Sequence, residues 1–200
     1  MRLGIFGGTF DPPHIGHLIL AAEGQHQLTL DGVLWVLTAD PPHKSGQAIS
    51  PWSARLELLQ AAVGSDPGFE ISRVDIDRPS PHYAFETVRL LKKEHPGAEL
   101  VYLMGGDELR DLPTWKQPLD FLAACDAICV MRRPADAVDL SILERELPGV
   151  TAKVWFLAAP LIEISASEIR RRARLGQPIR YFLPPAVYDL ILEKRLYQDD

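Results

Sequence analysis

Short apolar runs alternate with longer amphipathic segments along the chain, and this alternation is its clearest pattern. The apolar runs are rich in Val, Ile, Leu and aromatic residues and are nearly continuous, which is typical of parallel strands covered on both faces. The predicted strands are Arg2–Phe6, Val33–Thr38, Phe69–Asp75, Leu100–Met104, Ala127–Met131 and Lys153–Leu157.

Segments with helical periodicity lie between these runs, and two more follow the last of them. In the first segment Ile15, Leu18, Ile19 and Ala22 form the predicted apolar stripe, and Pro13 suits the first turn. The predicted helices are His14–Gln27, Pro51–Val63, Ala84–Glu94, Pro118–Ala124, Leu140–Leu147, Ser167–Leu175 and Pro184–Arg195. This alternation predicts an α/β fold with a doubly wound, mostly parallel sheet and C-terminal helices. Ligands of such sheets bind beyond the carboxyl ends of the strands.

Size and charge narrow the range of functions. A chain of 200 residues predicts one domain over residues 1–200, in which residues 165–200 form a C-terminal helical portion. The formal charge of −6 argues against nucleic acid as a partner but allows a small anionic substrate in a local basic pocket. No apolar stretch approaches the length of a membrane span, so we expect no membrane partner and a cytoplasmic location. A homo-oligomer is compatible with the sequence.

The two cysteines do not indicate a metal or redox site. Cys125 and Cys129 have a C-x-x-x-C spacing, which matches neither a zinc site nor a thioredoxin motif. Cys129 lies within an apolar run, so we predict buried, reduced thiols.

The first candidate site is the segment "GGTFDPPHIGH", Gly7 to His17. The two glycines allow backbone N–H groups to approach a phosphate, and a predicted helix N-terminus follows within a few residues. His14 and His17 are three residues apart and share one face of that helix. Gly16 costs about 1 kcal/mol of helix stability relative to Ala, which indicates that bulk is excluded there. The alternative is that both histidines only cap and pack the helix start.

A second candidate lies near the C-terminus in "EISASEIRRRARLG". Ser165 and Glu168 have the spacing of a capping box. If Ser165 caps the helix, Ser167 and Arg170 share a face with the helix N-terminus, which suits a triphosphate. The neighbouring arginines are interpreted as a solvated face.

Three further stretches offer candidate ligand contacts, each with a structural alternative. Lys44, in the loop-like stretch Asp40–Pro51, either places a charge on phosphate or is solvated. Asp107 either binds ribose hydroxyls or caps the next helix, and Trp115 either stacks on a flat ring or packs in the core. The segment "HYAFET", after the loop-like stretch Asp77–His82, begins a helix whose N–H groups suit a carboxylate.

The two principal motifs resemble those of the small nucleotidyltransferases. The H-x-G-H pattern is shared with class I aminoacyl-tRNA synthetases, but no K-M-S-K-S loop is present and the chain leaves no room for a tRNA-binding domain. The resemblance implies a Rossmann-like nucleotidyltransferase fold and direct adenylyl transfer, without a covalent intermediate. It implies that His17 contacts the ATP phosphates and stabilises the transition state and that His14 assists. The implied catalytic set is His17, His14, Lys44 and Arg170; the implied ATP contacts are Gly7, Gly8, Thr9, Phe10, Gly16, Ser165 and Ser167, where Ser167 stands in place of the usual Thr.

From Arg2 to Tyr197 the chain resembles the bacterial nicotinate mononucleotide adenylyltransferases. The implied substrates are ATP and nicotinate mononucleotide, and the products are nicotinate adenine dinucleotide and pyrophosphate, in NAD biosynthesis. The resemblance implies that Trp115 stacks on the pyridine ring and that the Thr87 region holds the carboxylate. The implied mononucleotide contacts are Thr87, Gly106, Asp107 and Trp115.

The sequence departs from this family at the pyridine side, where Ala84 and Glu86 replace Thr and Asp of the usual Tyr-Thr-x-Asp-Thr. The ATP chemistry implies Mg²⁺ carried by ATP and water, with no dedicated protein metal site. Two kinds of alternative stay open. One keeps the chemistry but uses nicotinamide mononucleotide or phosphopantetheine as acceptor, and the other is a nucleotide-sensing module without turnover.

Overall fold

The computed structural model of this chain describes residues 1–41, 48–64, 66–132, 138–160 and 162–198. Within them six strands form one sheet in the order β3-β2-β1-β4-β5-β6, and all neighbouring strands pair in parallel. The strands are β1 Arg2–Gly8, β2 Gly32–Leu37, β3 Phe69–Ser72, β4 Glu99–Gly105, β5 Ala127–Met131 and β6 Val154–Phe156. The predicted doubly wound parallel sheet is therefore confirmed.

Helices cover both faces of this sheet. They are α1 Ile15–Gln27, α2 Trp52–Val63, α3 Ala84–Glu94, α4 Gly106–Asp111, α5 Pro118–Ala124, α6 Leu140–Glu146, α7 Ala166–Arg174 and α8 Pro185–Glu193. Because side chains alternate along a strand, the four inner strands supply both cores, and the edge strands β3 and β6 supply one each. In β4, Leu100 and Met104 pack with α3 to α6, whereas Val101 and Leu103 pack with α1 and α2. A third, smaller core joins α2 to α7 and α8.

The predicted apolar stripe of α1 was partly wrong. Ala22 is exposed, and the buried positions are Gly16, Leu20, Ala21 and Gly24. A Cβ at Gly24 would lie 2.9 Å from Leu103 Cδ2, so the helix approaches the sheet through small residues. Hydrophobicity does not reveal such a face, because glycine contributes nothing to an apolar stripe.

Two elements near the carboxyl edge of the sheet also differ from the prediction. Strand β3 ends at Ser72, three residues before the predicted end, and Asp75 lies in the turn that follows, where it is buried. The short helix α4 was not predicted. It begins directly after β4, with Glu108 Oε2 accepting a hydrogen bond from the Gly105 N–H at 3.0 Å.

Two sequence predictions, on membrane-spanning segments and on the cysteines, can be compared with the residues that the structure describes. No helix there has both the length and the apolar character needed to cross a bilayer. Cys125 and Cys129 are buried and free, as predicted. Burial raises the pKa of the Cys125 thiol and raises that of Cys129 to about 12.

We expect neither thiol to react with a colorimetric disulfide reagent in the folded protein at about pH 8, because a thiol with a raised pKa is protonated there and the reagent cannot reach it. Both cysteines should react after unfolding in guanidinium chloride. Stoichiometric labelling of the native protein, measured by absorbance, would contradict this burial.

Candidate active site

The candidate site lies where the strand order reverses. The chain runs outward from β1 through β2 to β3 and then returns to β4, on the other side of β1. Connections from β1 and β4 therefore leave in opposite directions, which opens a crevice at their carboxyl ends. A cavity of about 490 Å³ occupies this position and is lined from both sides, by Gly7 and Gly8 of β1 and by Gly105 of β4.

Close packing explains the first glycine. A Cβ at Gly7 would lie 2.5 Å from the hydroxyl oxygen of Tyr102, which is buried on the neighbouring strand β4. A Cβ at Gly8 would lie 2.8 Å from the ring of Phe10. Phe10 itself adopts φ of 48°, a left-handed conformation that is uncommon for a bulky residue. The glycines thus leave room for the Tyr102 hydroxyl and the Phe10 ring at the cavity wall.

The two motif histidines lie together at the N-terminus of α1. Their rings stack with centroids 3.6 Å apart, and the His14 backbone N–H donates to His17 Nδ1 at 3.1 Å. Because Nδ1 accepts this bond, the neutral His17 ring carries its proton on Nε2. A Cβ at Gly16 would lie 3.2 Å from the His14 ring, so the expected exclusion of bulk is observed.

Helix α7 meets this loop through Arg170. Its guanidinium donates to the Asp11 carbonyl at 2.7 Å. Ser165 is the N-cap, accepting from the Glu168 N–H at 3.3 Å, and its hydroxyl lies 3.1 Å from that of Ser167. The second half of the predicted capping box is not made, since the Glu168 carboxylate pairs with two following arginines.

On the opposite wall, Thr87 is buried in an ionic network. Its hydroxyl donates to Asp75 at 2.8 Å and accepts from Arg78 at 3.2 Å. Arg78 also pairs with Asp75 at 2.9 Å and with Glu86 at 2.8 Å. The Thr87 hydroxyl is therefore hydrogen-bonded within the protein. The N-terminal turn of α3 has no side-chain cap and lies at the cavity, where Ala84 is part of the lining.

Asp107 and Trp115 line the cavity beyond β4. The N-cap of α4 is Gly105 and that of the next predicted helix, α5, is Gln117, so the alternative that Asp107 caps the next helix is wrong. Trp115 packs against Phe121 with ring centroids 5.2 Å apart, as the core alternative predicts. It also lines the cavity, and its stacking on a ligand ring stays a prediction. Gly106 is buried in the first turn of α4 and does not line the cavity.

The cavity thus brings together most of the residues that the sequence selected. Those that line it are Gly7, Gly8, Thr9, Phe10, His14, Gly16, His17, Thr87, Asp107 and Trp115. Ser165, Ser167 and Arg170 lie beside it without lining it, although Ala166 does. Lys44 lies outside the described residues. The roles of all these site residues stay predictions.

Comparison with known proteins agrees with this geometry. The family described as cytidylyltransferase-like matches residues 5–172. A protein of Thermomicrobium roseum named "probable nicotinate-nucleotide adenylyltransferase" is 45% identical, over 98% of this chain and 92% of its own length. A protein of the same name from Thermus thermophilus is 40% identical, over 99% of this chain and 100% of its own. This chain belongs to the nicotinate-nucleotide adenylyltransferases.

Solved structures of nicotinic acid mononucleotide adenylyltransferase have the same fold as this chain. Plasmodium falciparum nicotinic acid mononucleotide adenylyltransferase complexed with NaAD superposes with a TM-score of 0.80 at 19% identity, covering 98% of this chain and 97% of that one. The same enzyme complexed with APC gives a TM-score of 0.77 at 18% identity, covering 98% and 96%. At such identity the likeness concerns the fold alone.

Two buried charged residues were not predicted for this site: Asp11, which lines the cavity, and Arg55, which lies behind the lining. Arg55 of α2 is 1% exposed and Asp11 is 2% exposed. Arg55 shares a helix face with Leu58 and Leu59, three and four residues later, and both leucines are buried. The sequence signal for Arg55 was its position as a charged residue on an otherwise apolar helix face. Asp75 was missed because it was placed in a strand.

The contact between Gly7 and Tyr102 can be tested by substitution. We expect Gly7→Ala to lower the free energy of unfolding by roughly 1–3 kcal/mol, because the new methyl group overpacks the site. Tyr102→Phe removes the hydroxyl, and the next ring atom lies 3.4 Å away, so the double variant should recover much of the loss. Denaturant unfolding measures both, and strictly additive losses would show that this contact is not the cause.

Proposed function

We propose that this chain transfers the adenylyl group of ATP to nicotinate mononucleotide, forming nicotinate adenine dinucleotide and pyrophosphate in NAD biosynthesis. The observation that carries the proposal is the position of the stacked histidines and the glycine end of β1 in one cavity with Trp115. A phosphate-binding wall and a ring-binding wall then face each other across the switch point. The names of the relatives, which cover nearly the whole chain, support the same reaction.

In this proposal His17 stabilises the charge that develops on the ATP phosphates. A neutral ring with its proton on Nε2 is a hydrogen-bond donor towards an anion, and the N–H bond to Nδ1 holds the ring in that tautomer. His14 stacks against it and is 3% exposed, so it restricts the orientation of the His17 ring. The N-terminus of α1 adds a favourable dipole.

The reaction we propose is a direct displacement. A phosphate oxygen of the mononucleotide attacks the α-phosphorus of ATP, and the bond to the bridging oxygen of the leaving pyrophosphate breaks. Positioning and charge stabilisation supply most of the catalysis in such transfers. Neither cysteine of the chain lines the cavity, since Cys125 and Cys129 lie in the core.

Mg²⁺ fits this site as an ion carried by ATP. Among the described residues no group of three or more His, Cys, Asp or Glu side chains is arranged to hold a metal. Both oxygens of the Asp11 carboxylate accept hydrogen bonds from protein groups. Phosphate oxygens and water would therefore hold the ion, which would neutralise phosphate charge.

An acidic acceptor is supported by two features of the opposite wall. The N-terminal turn of α3 begins at Ala84 without a side-chain cap, and backbone N–H groups there suit a carboxylate. Lys116 lines the cavity next to Trp115 and adds a positive charge near the proposed pyridine site. We therefore infer a preference for nicotinate over nicotinamide mononucleotide. In this proposal Thr87 contributes indirectly, because its hydrogen bonds to Asp75 and Arg78 hold α3 in place.

Pyrophosphate release from Mg·ATP, measured with each acceptor in turn, tests the reaction. We expect release with nicotinate mononucleotide, a lower kcat/KM with nicotinamide mononucleotide, and none with phosphopantetheine, because the wall carries a ring-stacking aromatic and a carboxylate site. Release with phosphopantetheine alone would contradict the proposal. ATP binding without release with any acceptor would favour a nucleotide sensor.

The role of His17 can be tested separately. We expect His17→Ala to lower kcat by roughly 10²–10³-fold, the effect of losing one preorganised charge-stabilising donor. His26→Ala is the matched control, because His26 lies on the same helix but is exposed. Near wild-type turnover of His17→Ala in a steady-state assay would mean that the histidine pair is only structural.

A further inference from the structure

The carboxylate of Asp11, a residue that lines the cavity, joins separate parts of the chain. Its Oδ1 accepts a hydrogen bond from the Tyr197 hydroxyl at 2.7 Å, and its Oδ2 accepts one from the Ser50 N–H at 3.2 Å. The carbonyl oxygen of the same residue accepts from Arg170 at 2.7 Å. Asp11 therefore connects the histidine loop with the start of α2, with α7 and with the C-terminal tail.

Tyr197 reaches Asp11 through an unusual tail conformation. The chain turns back after α8, with the Leu196 N–H donating to the Ile191 carbonyl at 3.0 Å. Arg195 and Tyr197 both have positive φ, of 51° and 64°. Non-glycine residues adopt such values only when surrounding contacts hold them there. The Tyr197 ring packs against the small core of α7 and α8, and its hydroxyl reaches the loop 186 residues earlier in sequence.

The hydrogen bond has a fixed direction. Burial, and then the nearby Asp11 carboxylate, raise the pKa of the Tyr197 phenol. The phenol therefore stays protonated at neutral pH and donates to the carboxylate. Hydrogen bonds to a charged acceptor are among the stronger ones in proteins.

Asp11 also favours the charged form of Arg55, a buried residue that contacts the same loops. The Arg55 guanidinium is desolvated, which lowers its pKa, and the nearby Asp11 carboxylate is the largest opposing influence. Arg55 donates to the Thr9 carbonyl at 2.9 Å and to the Ser50 carbonyl at 2.8 Å. A shift of the Asp11 carboxylate would therefore disturb the segment between the end of β1 at Gly8 and His14.

We propose that Tyr197 is a positioning residue for ATP: by bonding to Asp11 it holds the histidine loop and Arg170 in the arrangement that receives the triphosphate. The inference rests on the proposed function, because it assigns the triphosphate to this side of the cavity. Tyr197 does not line the cavity, so its effect on the substrate is indirect, and its hydrogen bond to Asp11 is the contact through which we expect it to act. The acceptor side, around Trp115 and α3, makes no contact with this tail among the bonds described above.

The test compares Tyr197→Phe with Tyr188→Phe, which removes a hydroxyl from the same C-terminal region. The Tyr188 ring lies on α8, with Arg180 placed over it. We expect Tyr197→Phe to raise the KM for Mg·ATP, and its Kd measured by calorimetry, by about tenfold. The KM for nicotinate mononucleotide should change little, and Tyr188→Phe should match the wild type in all three.

A double-mutant cycle with Asp11→Asn separates positioning from general destabilisation. If Tyr197 acts through Asp11, the double variant should bind Mg·ATP about as weakly as the weaker single variant. Fully additive losses would overturn the inference, as would an equal loss for both substrates in step with a lower Tm. A wild-type protein that releases no pyrophosphate would instead refute the proposed function, whereas an active enzyme unaffected by Tyr197→Phe would refute only the positioning role.

Discussion

The guanidinium of Arg55 is enclosed beneath the carboxyl edge of the sheet, and a charge buried there has to be satisfied by polar groups. It is satisfied mainly by backbone, through donors that reach the carbonyl oxygens of Thr9, Thr38, Ala39 and Ser50. These carbonyls belong to the segments that follow β1 and β2 and to the start of α2. One side chain therefore connects the segments that follow β1 and β2 with the start of α2, and the nearby Asp11 carboxylate opposes the lowering of its pKa by burial.

The first turn of α1 controls the tautomer and the orientation of the His17 ring. The N-cap position gives His14 an extended backbone, which directs its N–H to the His17 ring. That single bond selects the tautomer of His17, and the stacked His14 ring limits its rotation. Gly16 leaves room for this stack. The loss of helix propensity at Gly16 is thus explained by ring packing, which a phosphate-binding role alone does not require.

The opposite wall shows how a departure from the family pattern is accommodated. Glu86 occupies the position where Asp is usual in the resemblance, and its longer side chain pairs with Arg78 at 2.8 Å. Arg78 in turn contacts both Asp75 and Thr87. The network positions α3, so its uncapped N-terminal turn lies at the cavity beside Trp115. Recognition of the acceptor in our proposal therefore depends on backbone and ring contacts more than on the Thr87 hydroxyl.

The sequence by itself determined the parallel sheet, the alternation of strands and helices along the chain apart from α4, and the cavity wall from Gly7 to His17, because periodicity, glycine placement and helix starts are local properties. It did not determine the roles of Asp11, Arg55, Asp75 and Tyr197, whose partners lie far away along the chain or in unpredicted turns. Nor did it show that α1 packs through Gly24, since only contact with Leu103 makes that glycine necessary. Tertiary structure decided these points because a buried charge is stabilised by whichever groups the fold brings to it, and spacing along one segment does not encode that proximity.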